Sequence, residues 1–593
     1  MRGSRVVGSA TVVAVVLAGV WLALPPLGSD LSAQAARADF FAGHGWALVD
    51  LRWYAGIQPL GYSLVSPPLM ATLGVRPTGA LALVGSAAAF AALLVRTRVP
   101  RPLLGSLAGV LTITGNLVSG RVTYALGVAF GLAALLALTL PADRRGPARE
   151  DEPGSRDRPG GRAEPARRAE PGSRAEPGSR GEAGRAAGRG GRWARGGRWG
   201  RPVLAVAGAV LASASSPVAG LFVGLAGVAL LVTRRWADGL LLGVAAAVPL
   251  AVTGLLFGEG GWMNISGTDT MRSVTASLLV AALVAYRPVR VGALLSAGGV
   301  LAAALVHTPV GLNATRLVTM FALPVLAAAA RPPARLTAWL PRRRAAPGSG
   351  GATRPVPPVG LSAGTGAVAL AVLLAAVCWW LPPVVAADVR SADDPTADRG
   401  YFAPLAAELG RRGLTGRVEV PPTRNYWEAA QLGEVPLARG WLRQVDIGRN
   451  PLFFTTVPGA GGTGVPLTAD SYRAWLDEYA VQYVAVADAP LSWVGRAEAE
   501  LVGAGLPYLT EVWSDRHWRL YAVTDPTPLV AAPGVLVRQD AATLTFRTTA
   551  AGQVPVRVRH SPWLTVSPDA TVTADGPWTL VTVPHAGTWT LHS

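Results

Sequence analysis

The chain has 593 residues, of which 50% are hydrophobic and only 15% are charged. Soluble proteins carry about 25% charged residues, so the composition predicts a membrane protein and excludes a wholly soluble or disordered chain. The formal net charge is +18, but most arginines fall in short loops between apolar runs, which indicates membrane topology and not nucleic-acid binding.

Eleven apolar segments are long enough, or nearly long enough, to cross a bilayer, which takes about 20 residues. They predict an all-α polytopic membrane domain over residues 1–385. The segments are 6–24, 77–95, 102–119, 122–140, 202–215, 217–233, 239–257, 273–286, 291–307, 316–330 and 359–381.

Arginine alternates between the loops. If the N-terminus is cytoplasmic, the cytoplasmic segments contain 31 arginines and the outer loops contain six. The positive-inside rule therefore predicts a plasma-membrane protein whose N-terminus is cytoplasmic and whose C-terminal region is extracytoplasmic. The first segment is alternatively a signal peptide cleaved near 32–35, but its apolar run exceeds the usual 7–15 residues, which favours an uncleaved anchor.

The loop 141–201 is rich in Arg, Gly and Pro and repeats the sequence Arg-Ala-Glu-Pro-Gly-Ser at 168–173 and 174–179. Such a stretch cannot bury a core, so the sequence predicts a disordered cytoplasmic loop. Its end, 192–199, combines three arginines with two tryptophans. We interpret this end as the positive flank of a linker, with an anchor for anionic lipids as the alternative.

Beyond residue 385 the pattern is that of a soluble protein. Alternating helical and strand patterns predict an extracytoplasmic α/β domain over 386–526. Period-two alternation then predicts a small C-terminal antiparallel β-sandwich over 527–593. The predicted α/β elements are helices at 399–413, 470–479 and 496–503, strands at 417–420 and 481–486, and a hairpin at 511–523; the predicted sandwich strands are 544–546, 554–558, 563–566, 578–583 and 589–591.

Polar residues collect at the outer ends of the segments, above all in the long loop 25–76. A carboxylate there can act as general base for an acceptor hydroxyl, and arginine binds phosphate bidentately. Asp39 and Asp50 are the candidate catalytic residues, and the apolar run 64–73 predicts a re-entrant or interfacial helix. The candidate substrate-binding residues are Arg52, Trp53, Tyr54, Gln58, Arg121, Tyr124, Asn313 and Arg316.

Two stretches of the first outer loop resemble membrane glycosyltransferases with the GT-C fold. Asp39 precedes Phe40-Phe41, and Trp53-Tyr54 precedes Gln58-Pro59-Leu60. The resemblance implies a GT-C-like core, a base soon after the first span and an outer soluble domain. The family often has Asp-Glu where this chain has Asp39-Phe40, so Asp50 is a rival for the base.

Other stretches resemble actinobacterial multi-pass membrane proteins of unassigned function. That resemblance covers most of the chain and implies no activity. The stretches are 119–124, 214–217, 311–317, Trp441-x-x-Gln444 and Tyr472-x-x-Trp475-Leu476.

The predicted function is transfer of a sugar from a polyprenyl-phosphate donor to a glycan or glycolipid of the cell envelope. The resemblance implies the reaction, and the sidedness implies the donor, because nucleotide sugars are absent outside the cell. A transporter or flippase and a non-catalytic envelope assembly protein are the alternatives.

The sequence shows no cofactor motif and no metal-ligand spacing, and it leaves a divalent metal and the oligomeric state open. Six tryptophans of the predicted α/β domain could stack on sugars, but we favour a place in its core. They are Trp427, Trp441, Trp475, Trp493, Trp513 and Trp518.

Overall fold

The computed structural model describes residues 2–141, 200–331, 363–455, 459 and 464–593. Most of the predicted disordered loop 141–201 lies outside the described residues, and so does 359–362 of the last predicted span.

The first part of the chain is a bundle of apolar helices, and a helix overlaps each of the eleven predicted segments. Within the described residues, five helical stretches have the length and composition to cross a membrane, namely Gly3–Ala23, Val75–Arg96, Trp236–Phe257, Arg287–Leu305 and Gly311–Ala329. The chain is therefore a multi-pass membrane protein, while the count of eleven spans stays a prediction. The overlapping helices are α1 (Arg2–Ala23), α4 (Val75–Arg96), α5 (Pro102–Val118), α6 (Val122–Ala137), α7 (Gly200–Ser215), α8 (Pro217–Val232), α9 (Trp236–Phe257), α10 (Gly267–Leu283), α11 (Arg287–Leu305), α12 (Arg316–Ala329) and α13 (Ala363–Trp380).

Serine caps begin two of these helices where the sequence turns polar. The side chain of Ser216 accepts a hydrogen bond from the Ala219 amide at the start of α8, and Pro217 occupies the first helical position. Ser266 accepts one from the Asp269 amide at the start of α10. These caps fix two turns at the same end of the bundle.

The long loop between α1 and α4 is folded. It contains α2 (Leu31–His44) and α3 (Ser66–Leu73). The helix predicted at 64–73 is thus confirmed, whereas α2 was not predicted because its many alanines and polar residues give no clear apolar period.

The C-terminal region contains three small sheets. One sheet has the strand order β1-β2-β4-β3, with β1 parallel to β2 and the other pairs antiparallel. The other two sheets are antiparallel, have the orders β7-β10-β9 and β5-β6-β11-β8, and enclose one apolar core. The strands are β1 (Arg417–Glu419), β2 (Val481–Ala487), β3 (Leu509–Ser514), β4 (Trp518–Val523), β5 (Gly534–Gln539), β6 (Leu544–Thr548), β7 (Gly552–Arg559), β8 (Thr565–Ser567), β9 (Thr571–Asp575), β10 (Trp578–Val583) and β11 (Gly587–His592).

The predicted helices of this region are also present. Short helices α14, α16 and α17 and the strands β5 and β9 are additional. The helices are α14 (Ala386–Arg390), α15 (Arg399–Arg412), α16 (Glu428–Gln431), α17 (Arg443–Arg449), α18 (Ala469–Glu478) and α19 (Trp493–Gly503). The division into two domains stays a prediction.

The C-terminal region packs against one end of the helix bundle, which we call the sheet-side end; the opposite end is the far end. The Leu437 amide donates to the Arg52 carbonyl at 2.7 Å, and the Tyr54 hydroxyl donates to the Gly440 carbonyl at 2.5 Å. Arg449 donates to the carbonyls of Tyr54 and Gly56 and pairs with Glu259, which follows α9. The loop before α4 is therefore the main joint between the two parts.

Candidate functional site

Asp30 lies in a tight turn at the sheet-side end, immediately before α2. Its amide donates to the Ser119 carbonyl at 3.2 Å. Gly28 has a φ of +93°, and a Cβ there would lie 2.2 Å from the Ser119 carbonyl carbon. Only glycine permits this approach, which holds Asp30 against the turn between α5 and α6.

Two arginines from distant parts of the chain face the Asp30 carboxylate. Arg121 Nε and Arg316 Nη2 each lie 3.4 Å from Asp30 Oδ2. Charge-assisted hydrogen bonds are typically about 2.7–2.9 Å, so both pairs are loose. Arg121 Nε is buried and makes no hydrogen bond to any described residue.

A third arginine, Arg37, lies two turns along α2 on the same side as Asp30. Its guanidinium carbon is 3.5 Å from the centre of the Tyr62 ring, and the Trp441 ring is 5.5 Å away. Arg37 is 5% exposed, and neither terminal nitrogen has a hydrogen-bond partner in the described part of the chain. Burial lowers the pKa of Arg37, and the neighbouring Tyr62 and Asp30 oppose that shift. The indole nitrogen of Trp441 donates to the Ser29 carbonyl at 2.8 Å.

We call Asp30, Arg37, Arg121 and Arg316 the arginine cluster. Three guanidinium groups and one carboxylate give it a formal charge of +2. Arg37 is buried, and Arg121 and Arg316 are half-buried. Buried charges are normally paired, so this excess of positive charge, with donors that have no partner among the described residues, favours binding of an anion.

Asp388, from α14, supports the turns around the cluster. It is buried, accepts a hydrogen bond from Ser119 Oγ at 2.6 Å and lies 3.4 Å from the Ser29 amide nitrogen. Burial raises the pKa of Asp388, and its hydrogen bond with Ser119 opposes the shift. Asp388 thus joins three turns of the sheet-side end.

An apolar groove of about 610 Å³ runs from Tyr124, which lies beside the cluster, toward the far end; the four cluster residues themselves lie outside its lining. It lies between α4, α6 and α8 on one side and α10, α11 and α12 on the other. Tyr124 lines the sheet-side end of the groove, and its ring centre lies 5.4 Å from the Arg316 guanidinium carbon. The Tyr124 hydroxyl is buried and has no hydrogen-bond partner among the residues that the structure describes. Among the described residues, the polar side chains in its middle are those of Ser277 and Ser296.

Three of the predicted substrate-binding residues, Arg121, Tyr124 and Arg316, therefore meet in one place. Asn313 is half-buried in the short 3₁₀-helix Gly311–Thr315 that leads into Arg316. Gln58 is half-buried, and its backbone N–H donates to the Glu259 carboxylate.

The other predicted residues of the first loop belong to the joint with the C-terminal region. Asp50 and Arg52 are 2% and 3% exposed and form a two-pronged ion pair, with a shortest distance of 2.8 Å. Trp53 and Tyr54 are fully buried. Burial raises the pKa of the Tyr54 hydroxyl. Asp39 is exposed on α2, and partial burial of its carboxyl raises its pKa.

The six tryptophans separate into groups. Trp427, Trp475 and Trp518 are buried in the core, as we favoured, and Trp513 is half-buried against it. Trp493 is 47% exposed. Trp441 reaches the arginine cluster.

Asp30 and Asp388 were not among the candidates from the sequence. One signal for Asp30 was available, since it is the first acidic residue after the first apolar segment. Nothing in the sequence around Asp388 indicates that it reaches Ser119, which is 269 residues earlier.

No protein-family model matches the chain, and no curated protein matches it. The chain is similar to cryo-EM structures of the arabinofuranosyltransferase AftD from Mycobacteria. One match has 15% identity and a TM-score of 0.41, and it covers 88% of this chain and 40% of AftD. The R1389S variant of AftD matches with 13% identity and a TM-score of 0.43, over 99% of this chain and 60% of that one.

A third similar structure is ArnT from Cupriavidus metallidurans, crystallised with undecaprenyl phosphate. The identity is 13% and the TM-score 0.35, over 87% of this chain and 97% of ArnT. The chain spans 40–60% of the length of the AftD chains it matches. All three TM-scores are below 0.5.

Proposed function

We propose that the protein is a membrane glycosyltransferase that takes a sugar from a polyprenyl-phosphate donor and transfers it to a cell-envelope acceptor. The observation that carries this proposal is the position of the arginine cluster beside the sheet-side end of the apolar groove, where the Arg316 guanidinium lies 5.4 Å from the ring of the lining residue Tyr124. An excess of arginine beside a long apolar groove fits a lipid that carries a phosphate, with the phosphate at the cluster and the prenyl chain in the groove.

The arginine asymmetry of the loops supports an extracytoplasmic position for the sheet-side end. Nucleotide sugars are absent there, so a lipid-linked donor is the chemically consistent one. The lipid bilayer supplies that donor directly, and the acceptor is a glycan or glycolipid of the envelope.

In the proposed step, the oxygen of an acceptor hydroxyl attacks the anomeric carbon of the sugar. The bond between that carbon and the phosphate oxygen breaks, and the electron pair leaves on the polyprenyl phosphate. Arg37, Arg121 and Arg316 stabilise the charge that develops on the phosphate. Asp30 accepts the proton of the acceptor hydroxyl.

The loose pairing of Asp30 suits this role. Phosphate oxygens would replace the carboxylate as the partner of Arg121 and Arg316, because both contacts are longer than a good charge-assisted hydrogen bond. Asp30 would then be released from its ion pairs when the donor binds and would face the acceptor.

Asp39 and Asp50 remain rival bases, and the geometry ranks both below Asp30. Asp50 holds Arg52 through both carboxylate oxygens inside the joint. Asp39 is exposed to solvent. Of the other predicted binding residues, Tyr124 contacts the donor, whereas Arg52, Trp53, Tyr54 and Gln58 support the loop.

A flippase is less well supported by the groove. To cross the groove, a phosphate would have to leave water and enter an apolar channel. Among the described residues, the polar side chains in the middle of this channel are only those of Ser277 and Ser296. An unpaired charge there is energetically unfavourable. The groove therefore fits a lipid tail better than a moving headgroup.

The test uses the full chain, purified in lipid nanodiscs. It is incubated with radiolabelled polyprenyl-phosphate sugars and envelope glycolipids, and label is followed from donor to acceptor. Protein-dependent transfer supports the proposal. Donor binding without transfer to any acceptor would favour an assembly protein, and movement of a fluorescent donor between leaflets of a liposome without transfer would favour a flippase.

A further inference from the structure

The apolar groove has a defined length. One face of α6 and of the turn that follows lines it from the sheet-side end to the far end, with side chains at the helical spacing of three and four residues. From Tyr124 to Thr139 this face is about 22 Å long, at 1.5 Å per helical residue. The lining residues of this face are Tyr124, Gly127, Val128, Gly131, Leu132, Leu135, Leu138 and Thr139.

The far end of the groove is strongly polar, whereas the described residues of its middle offer only the hydroxyls of Ser277 and Ser296. The far end is lined by Thr97, Arg98, Arg235 and Arg331 as well as Thr139. Arg98 and Arg331 are exposed to solvent. A hydrocarbon chain that entered from the cluster would meet hydrated guanidinium groups at this end, and displacing their water is unfavourable.

We propose that the groove accommodates a defined length of prenyl chain. It holds about five isoprene units counted from the phosphate, and further units add no affinity. This inference rests on the proposed function. Three single bonds of an extended chain reach about 3.5 Å, so a four-bond isoprene unit reaches about 4.7 Å and a groove of about 22 Å takes about five units.

Units beyond the groove lie in the bilayer. Lipid tails are as apolar as the groove wall, so an isoprene unit gains no hydrophobic free energy by moving from the bilayer into the groove. Within the groove, affinity rises with length because each added carbon packs against protein atoms. Small lining residues such as Ala226 and Ala293 leave room for the methyl branches of a prenyl chain.

Gly292 offers a way to shorten the groove. It lies on α11 near the far end and lines the groove, and a Cβ there would meet Ala229 and Leu225 only at an ordinary contact distance of 3.8 Å. Gly292→Phe should therefore fold and fill the far third of the groove. Gly298→Phe is the matched control, because Gly298 is exposed on the same helix, and a Cβ there would have open space within 4 Å among the described residues.

The experiment measures the affinity of the full chain in detergent for unlabelled polyprenyl phosphates of two, three, five, eight and eleven isoprene units. We expect affinity to rise about tenfold from two to five units and then to level off, because packing contacts end with the groove. In Gly292→Phe the plateau should begin at about three units with unchanged affinity for the two-unit lipid, whereas Gly298→Phe should match the wild type. Ala293→Phe, in the same stretch, replaces Gly292→Phe if that variant does not fold.

An affinity that still rises from five to eleven units, or that does not depend on length, overturns the inference but not the proposed function. The inference, but not the proposed function, is also overturned if the affinity of Gly292→Phe levels off at the same chain length as that of the wild type. Absence of binding at every length would overturn both.

Discussion

The Arg37 guanidinium carbon lies over the Tyr62 ring, 3.5 Å from its centre, and the two terminal nitrogens of Arg37 are buried without a hydrogen-bond partner among the described residues. A planar guanidinium stacked on an aromatic ring keeps its fork of donors free in the plane, which is the geometry that suits a phosphate. Arg121 and Arg316 share Asp30 as their acidic partner. Arg37 is therefore the arginine of the cluster that is most available to an anion.

We predict that Arg37→Gln weakens binding of polyprenyl phosphate by about tenfold to a hundredfold, since a hydrogen bond to a charged group contributes roughly 1.5–3 kcal/mol. The affinity of Arg37→Lys should lie between those of Arg37→Gln and the wild type, because lysine keeps the positive charge but loses the fork of donors. Titration of the lipid into purified variants measures this. Equal affinity in Arg37→Gln and wild type would exclude Arg37 from the phosphate site.

Breaking the buried ion pair of Asp50 and Arg52 should destabilise the folded protein. Removing one partner of a buried pair typically costs roughly 3–5 kcal/mol, because the other charge stays buried. Asp50→Asn should therefore lower the melting temperature clearly, whereas Asp39→Asn, at an exposed position, should change it little. If Asp50→Asn melted like the wild type and lost transfer, Asp50 and not Asp30 would be the base.

Glu428 predicts a pH dependence of stability. It is 3% exposed, and burial raises its pKa to about 7 from an ordinary value of 4.5, against a hydrogen bond from Thr423. The folded state therefore binds more protons than the unfolded state between these values, so its contribution to stability is present below about pH 4.5 and is lost as the pH rises through about 7. The total is up to about 3 kcal/mol.

Glu428→Gln removes this titration. Relative to wild type, the variant should gain stability as the pH is raised from 5 to 7.5, measured by thermal unfolding at several pH values. A difference between the two proteins that stays constant over this range would contradict the assignment. Asp398→Asn, on the same region but exposed, is the control.

The topology makes a separate prediction. With 31 arginines in the predicted cytoplasmic segments and six in the outer loops, the C-terminal region should lie outside the cytoplasm. A reporter that is active only in the cytoplasm, fused after Ser593, should be silent, and the same reporter fused after Arg235 should be active. Activity after Ser593 would place the arginine cluster on the wrong side for a lipid-linked donor.

The sequence predicted the helices well because apolar length is a local property. The segment 239–257, for example, overlaps α9 (Trp236–Phe257) closely. The strand β2 was found for a similar reason, since a short apolar run between turn residues is a local pattern. Strand β9 was missed, because most of its residues are exposed and alternate poorly.

The site was only partly predictable, because it is assembled from distant residues. Arg121 and Arg316 were chosen for their places at the outer ends of segments, but Asp30, which brings them together, is 286 residues from Arg316. Polar and aromatic residues stand close together around Asp50 in the sequence for a different reason, because they form the joint with the C-terminal region. A local cluster of polar and aromatic residues does not distinguish these two roles.

The most direct test of the proposed mechanism is Asp30→Asn, assayed for both donor binding and sugar transfer, with Asp39→Asn as the matched control. Loss of the carboxylate leaves Arg121 and Arg316 without their acidic partner, so the affinity for polyprenyl phosphate should be kept or increased. Transfer should fall by about 10²–10⁴-fold, because the general base is gone. If Asp30→Asn transfers sugar at the wild-type rate, or if Asp39→Asn shows the loss instead, the proposed mechanism is wrong.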